Sequence, residues 1–253
     1  MTDVRCEVDG PVATMTLNRP DRRNAISGRL LTQLRATMTE LDASADVRVI
    51  VLTGADPAFC AGLDLTELGQ ADSPLGRAAS GAVIPQLSKP LIGAVNGAAI
   101  TGGLELALAC DFLIASVLAR FADTHARMGI QPGWGLTAEL PAAVGLRRAR
   151  QMSATGNFVD AETALAWGLV NHVVPHAELM SFTGRLAADV ASNDPAAVQA
   201  IFATYRDVSR VTGADAADVE RRAHERWHAG GIDRDDVARR REAVIERGRA
   251  QAG

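Results

Sequence analysis

Gly102, Gly103 and Glu105 carry the densest chemical signal in this chain, within the run KPLIGAVNGAAITGGLELALACD from Lys89 to Asp111. The apolar stretch 91–95 reads as a buried strand and Asn96-Gly97 as a tight loop. The paired glycines then open a helix that holds Glu105 in its first turn. Glycines at a helix start leave main-chain N–H groups uncovered at the positive end of the helix dipole. Such a place holds an anion, including one that exists only in a transition state. A carboxylate set among Leu104, Leu106 and Ala107 loses hydration, which raises its pKa and suits acid–base work. Oxyanion donors beside a general base are what enolate chemistry needs. The same residues also admit a plainer reading: glycines used for close packing, and a glutamate placed where the dipole favours it.

The elements that must position these residues follow from periodicity. Residues 4–8 and 12–17 alternate about Asp9-Gly10-Pro11 and predict a hairpin. Ser27 predicts an N-cap for a helix with the apolar stripe Leu30, Leu31, Leu34, Met38 and Leu41. Residues 48–53 predict a buried strand, and Asp64 a cap for a short helix through Leu68. Residues 77–87 read as helix, 111–115 and 170–174 as strands, and 146–154, 161–167, 179–191 and 195–208 as amphipathic helices. Two charged helices, 214–227 and 234–249, are expected at the end. Strands alternating with helices imply crossovers and a mainly parallel sheet. The expected organisation is a core over 1–195 and a helical region over 196–253, with no internal repeat in the sequence.

A chain of 253 residues with 47% hydrophobic content can bury a sizeable core. A net charge of −4 gives no bulk attraction to nucleic acid or to a membrane surface, although arginines cluster locally at 22–23, 147–150 and 239–241. Cys6, Cys60 and Cys110 have no metal-type spacing, so no metal is expected, and a reduced, cytoplasmic setting fits them. No apolar run reaches membrane-spanning length, and the first ten residues do not read as a signal peptide. A generic nucleotide-binding domain requires a G-x-G-x-x-G or a P-loop lysine after the first strand, and a serine hydrolase requires a G-x-S-x-G elbow; neither is present.

Four segments in order resemble the enoyl-CoA hydratase/isomerase (crotonase) superfamily: LNRPDRRNAIS from Leu17, VIVLTGADPAFCAGLDL from Val49, NGAAITGGLELALACD from Asn96 and GLVNHVV from Gly168. The resemblance implies an α/β fold with a β-β-α superhelical spiral core and a C-terminal helical trimerisation region. It also implies a homotrimer or dimer of trimers, an enoyl-CoA or other acyl-CoA thioester as substrate, and no cofactor beyond the coenzyme A of that substrate.

Residue by residue, the resemblance implies that the N–H groups of Leu63 and Gly102 hold the thioester oxygen. Ala61, Gly62, Asp64, Leu65 and Gly103 frame that place. Glu105 falls on one of the two glutamates that act on water and substrate in hydratases. The other glutamate position departs from the pattern: Phe121-Ala122-Asp123-Thr124-His125 puts a histidine there. Either His125 replaces the second acid, with a reference pKa of about 6.5, or it is a polar residue tolerated where no second acid is needed. Asp123 and Glu139 are nearby carboxylates whose direction the sequence leaves open. Trp134 falls where relatives line the acyl pocket, and core filling is the equal alternative. Arg22 and Arg23 fall where relatives meet the CoA phosphates, against the plainer reading of a solvated pair. Arg247 matches a terminal basic position that approaches CoA, with Val244 where an aromatic is usual.

The activity implied is hydration of a 2-enoyl-CoA in fatty-acid or related acyl-CoA metabolism. The alternatives are an isomerase, thioester hydrolase or decarboxylase of the same superfamily, or an acyl-CoA-binding protein with little turnover.

Overall fold

The computed structural model describes residues 2–68 and 82–209, together with positions 222 and 225. The chain divides into two units, Met1–Val198 and Gln199–Gly253. In the first, Val4–Asp9 (β1) and Val12–Leu17 (β2) form the expected hairpin, pairing Val4 with Leu17 and Asp9 with Val12. Gly10 turns the corner at φ +53°. Ser27 caps the helix Gly28–Ala43 (α1) by accepting from the N–H of Leu30 at 3.0 Å. All five residues of the predicted α1 stripe are buried.

The next strands come in pairs. Val49–Gly54 (β3) is followed by Ala58–Cys60 (β4) and the short helix Leu65–Leu68 (α2). Leu91–Val95 (β5) is followed by Ala98–Ile100 (β6) and the helix Gly102–Leu108 (α3). Phe112–Ser116 (β7) is followed by Arg120–Ala122 (β8). Then come Leu136–Val144 (α4), Leu146–Thr155 (α5), Val159–Asp160 (β9), Ala161–Trp167 (α6), His172–Val174 (β10), Leu179–Ala191 (α7) and Pro195–Ser209 (α8).

The first strand of each pair enters one sheet, in the order β1-β2-β3-β5-β7-β10, parallel except for the β1–β2 hairpin. The second strand of each pair enters another, in the order β4-β6-β8-β9. Every residue of β3 and of β5 is buried, as parallel strands covered on both faces require. Alternate side chains divide between the two faces. Ile50, Leu52, Leu91 and Leu113 join the main core with the α1 stripe, whereas Val49, Val51, Ile92 and Ile114 pack with Leu179, Ala187 and Ala191 of α7.

Three differences from the sequence reading stand out. Residues 82–87 are not helical, and 77–81 lie outside the described residues, as do the predicted helices 214–227 and 234–249 apart from helical positions 222 and 225. The second sheet follows the β-β-α spiral that the resemblance implies but not the periodicity: its strands are two or three residues long, too short for alternation to show. Helix α4 is a further element without bounds in the sequence reading, and it forms with Gly135 before it and Pro141 inside it. The β–β step recurs three times with no matching repeat in the sequence, because backbone geometry recurs while side chains differ.

Candidate active site

Strands β4, β6 and β8 are mutually parallel, so their carboxyl ends lie along one edge of the second sheet. Every residue singled out above for oxyanion or proton chemistry follows one of these ends. Ala61-Gly62-Leu63 leave β4, Thr101-Gly102 leave β6 with Glu105 one turn on, and Asp123-Thr124-His125 leave β8. Ligands commonly meet parallel sheets at that edge.

The two candidate donors converge. A Cβ built on Gly102 would lie 3.5 Å from the nitrogen of Leu63, and one built on Gly62 would lie 3.4 Å from the nitrogen of Gly102. Leu63 forms a parallel bridge with Ile26: the N–H of Ile26 donates to the Gly62 carbonyl at 2.7 Å, and that of Asp64 to the Ile26 carbonyl at 2.9 Å. A parallel bridge of this kind turns the N–H of the intervening residue the other way. Gly102 opens α3, where first-turn N–H groups have no intrahelical acceptor. Among the described residues neither N–H has an acceptor. Thr101 before it has φ +53° and ψ −110°, a strained conformation for a residue with a Cβ. It is held by its N–H to the Ala122 carbonyl at 2.8 Å and by a hydroxyl–hydroxyl bond to Thr124.

The loop that carries Leu63 is braced from beneath. Asn24, fully buried with φ +56°, donates from Nδ2 to the carbonyls of Ala55 at 2.7 Å and Ala58 at 2.6 Å, and accepts from the Arg19 N–H at 2.9 Å. Arg19 in turn reaches Asp64 at 3.0 Å. Burial pushes the Asp64 carboxyl up, but Arg19 and the groups of Thr66 outweigh it and hold the carboxyl below its usual range. Gly62, at φ +94°, and Gly103, whose missing Cβ would stand 2.1 Å from the Cys60 carbonyl, let the loop and α3 approach this closely.

The titratable groups form a chain of three, each at most 5% exposed. Oε1 of Glu105 accepts the main-chain N–H of Trp134 at 2.8 Å. Its Oε2 faces Nε2 of His125 at 3.8 Å. Nδ1 of His125 lies 2.7 Å from Oδ1 of Asp123, which also accepts the His125 main-chain N–H at 3.1 Å. Burial raises the Glu105 carboxyl above its usual range against the opposing pull of the Trp134 N–H and His125. For Asp123 burial also pushes upward, but hydrogen bonds from His125 and Ser153 prevail and hold the carboxyl low. Two carboxylates on either side of one imidazole are thereby driven in opposite directions, a pattern that marks acid–base sites.

Of the sequence candidates, the structure brings together Ala61, Gly62, Leu63, Gly102, Gly103, Glu105, His125 and Trp134. The Trp134 ring is buried, its edge 3.2 Å from where a Gly102 Cβ would be. Asp64 is turned to Arg19 and to the Thr66 N–H at 3.1 Å. Leu65 is 56% exposed, and Arg22 and Arg23 lie on the surface, the Arg23 carbonyl accepting the Ala61 N–H at 3.0 Å. Glu139 is exposed on α4, away from the role its sequence proximity left open. Arg247 and Val244 lie outside the described residues. Sequence reasoning missed the braces Arg19 and Asn24 and the direction of Asp123. For Asp123 the signal was Asp-x-His, because an aspartate accepting the N–H two residues on is a common local turn.

Comparison with known proteins agrees with this geometry. The sequence model described as "Enoyl-CoA hydratase/isomerase" matches residues 7–249. A probable peroxisomal enoyl-CoA hydratase of Arabidopsis thaliana is 35% identical over 244 residues, covering 94% of this chain and 91% of that protein. The crystal structure of an enoyl-CoA hydratase from Mycobacterium tuberculosis H37Rv superposes with a TM-score of 0.77 at 46% identity, covering 88% of this chain and 96% of that one. That of an enoyl-CoA hydratase from Bacillus anthracis gives 0.89 at 33% identity, with 96% of each chain covered. Fold, motif order and sequence similarity along nearly the whole length agree, and the chain belongs to the enoyl-CoA hydratase/isomerase family.

Proposed function

We propose that this protein is a lyase of the enoyl-CoA hydratase type, adding water across the double bond of a 2-enoyl-CoA. The observation that carries the reading is the placement of Glu105, its Oε2 3.8 Å from His125, one turn beyond the convergent amides of Leu63 and Gly102. The thioester oxygen takes the space between those two N–H groups. Charge that gathers there as the enolate forms meets donors already in place, each worth about 2.7–4 kcal/mol of barrier. Glu105, raised by burial, accepts a proton from water as the hydroxyl bonds to Cβ. His125 delivers a proton to Cα from the other side of the pair. A water oxygen about 2.8 Å from both Oε2 and Nε2 would subtend an angle slightly under a right angle, so one water fits both.

Coenzyme A enters only as part of the substrate, with Arg22 and Arg23 on the surface to meet its phosphates and Arg247 as a further contact. The same reading takes the helical region after residue 195 as the oligomerisation element of a homotrimer or dimer of trimers. It places the enzyme in the cytoplasm, in fatty-acid oxidation or a related acyl-CoA route. Among the described residues no helix is long and apolar enough to cross a membrane.

The imidazole at position 125 favours one second reading, double-bond isomerisation, in which the same pair moves a proton between Cα and Cγ. The test is turnover of 2-enoyl-CoA and 3-enoyl-CoA thioesters of graded length, with products separated by retention time. A 3-hydroxyacyl-CoA product that disappears in Glu105→Gln supports hydration. Interconversion of the enoyl isomers without hydroxyacyl product supports isomerisation. Binding without turnover, unchanged in Glu105→Gln, refutes both.

A further inference from the structure

The Asp123 carboxylate is 1% exposed and its Oδ1 faces two nitrogens of the same residue, His125. Hydrogen bonds from His125 and Ser153 hold this carboxyl below its usual range in spite of burial, so it is ionised near neutral pH. An ionised carboxylate only accepts hydrogen bonds. The 2.7 Å contact with Nδ1 therefore requires the proton on Nδ1. That leaves Nε2 as the nitrogen whose proton comes and goes, and Nε2 is the one that faces Glu105.

We propose that Asp123 is a positioning residue that fixes His125 in the Nδ1–H form and turns Nε2 toward Glu105 and the substrate. The role rests on the hydration reading for its use in turnover, but the protonation pattern is a property of the resting protein. Asp123 supplies two things. It sets ring orientation through two bonds to one oxygen, and it sets a negative charge against the imidazolium that must form before Nε2 can donate to Cα. Among the described residues, the charged groups that face His125 are Asp123 itself and Glu105 from α3. Arg127, two residues on, is turned away to the Thr155 carbonyl and Asn157. From α5 the uncharged Ser153 reaches Asp123. A glutamate at position 125 would need no such partner. A histidine does, because its two nitrogens compete for the proton.

The test is nitrogen-15 NMR of the full-length protein labelled at histidine, with His125→Gln to assign the resonance. In the neutral form, the wild type is expected to show a protonated Nδ1 and a bare Nε2. Asp123→Asn keeps an oxygen that accepts from both nitrogens, so Asp123→Ala, which removes the acceptor, is the variant expected to release Nδ1 and populate the Nε2–H form. With crotonyl-CoA, Asp123→Asn should lower kcat by about tenfold or more with KM nearly unchanged. An Nε2–H form in the wild type overturns the assignment, and so does a folded Asp123→Ala protein whose tautomer matches the wild type. A protein inactive on every enoyl-CoA would defeat the hydration reading, while the tautomer in the resting wild type would still decide the role of Asp123.

Discussion

The main-chain N–H of Trp134 donates to Oε1 of Glu105 at 2.8 Å, which leaves Oε2 as the oxygen that faces His125. One oxygen of this buried carboxylate is thus anchored by Trp134 and the other placed toward the imidazole, with the main-chain N–H groups of Leu136 and Gly133 also acting on the carboxyl. Glutamine preserves the anchored oxygen and removes the exchange. Glu105→Gln should lower kcat by roughly 10²–10⁴-fold with little change in substrate binding, measured by steady-state kinetics beside a titration with a saturated acyl-CoA.

The same substitution should raise thermal stability at neutral pH. Burial lifts the Glu105 carboxyl above its unfolded value, so the fold favours the protonated form. That contribution is complete below the unfolded pKa and is lost as pH rises through the folded one. Melting curves of wild type and Glu105→Gln should converge in acid and separate toward neutral pH, with the variant the more stable. A variant that melts lower at neutral pH would contradict this.

Neighbouring glycines should respond differently to alanine. At Gly102 the added methyl meets the Trp134 ring at 3.2 Å and lies 3.5 Å from the Leu63 nitrogen, so the chain folds but the space between the donors narrows. Gly102→Ala should cost about 10²-fold in kcat or more with a nearly normal melting curve. At Gly103 the methyl would sit 2.1 Å from the Cys60 carbonyl, and Gly103→Ala should be poorly soluble or strongly destabilised.

Asn24→Ala strips the Nδ2 donor from the Ala55 and Ala58 carbonyls and the acceptor from the Arg19 N–H. Leaving such groups unmatched costs about 1–3 kcal/mol, to be read from the urea midpoint. Because the loop it braces leads to Leu63, kcat should fall in the soluble fraction as well.

Asp64, held below its usual range by Arg19, stabilises the fold above its unfolded pKa and loses that contribution as pH falls through the folded one. Arg19→Gln should therefore move the acid-unfolding midpoint to higher pH. An unchanged midpoint would show that the pair contributes nothing to acid resistance.

What the sequence made legible was what long periodic segments and short dense motifs can carry. The α1 stripe with its Ser27 cap, the β1–β2 hairpin and the Glu105 turn stand where periodicity put them. The second sheet did not show because two or three residues make no pattern. Asp-x-His carries the local turn that aims Asp123 at the His125 main-chain N–H, but not the direction of the imidazole, which the fold decides. Arg19 and Asn24 read as ordinary loop residues, since a brace is defined by what it reaches some thirty or more positions away, the Asp64 carboxylate for one and the Ala55 carbonyl for the other.

The threefold recurrence of the β–β step also makes the chemistry divisible. The exits of β4 and β6 deliver the amides of Leu63 and Gly102, while the exit of β8 delivers the Asp123–His125 pair. The second turn thus carries both part of the grip and one proton-moving group, Glu105, while the other, His125, sits on the third turn. A change at Asp123 or His125 can alter the reaction and leave the grip intact, whereas Thr124 holds Thr101 and with it the start of α3. Within Asp123-Thr124-His125 the outer two residues set the proton chemistry and the middle one serves the grip.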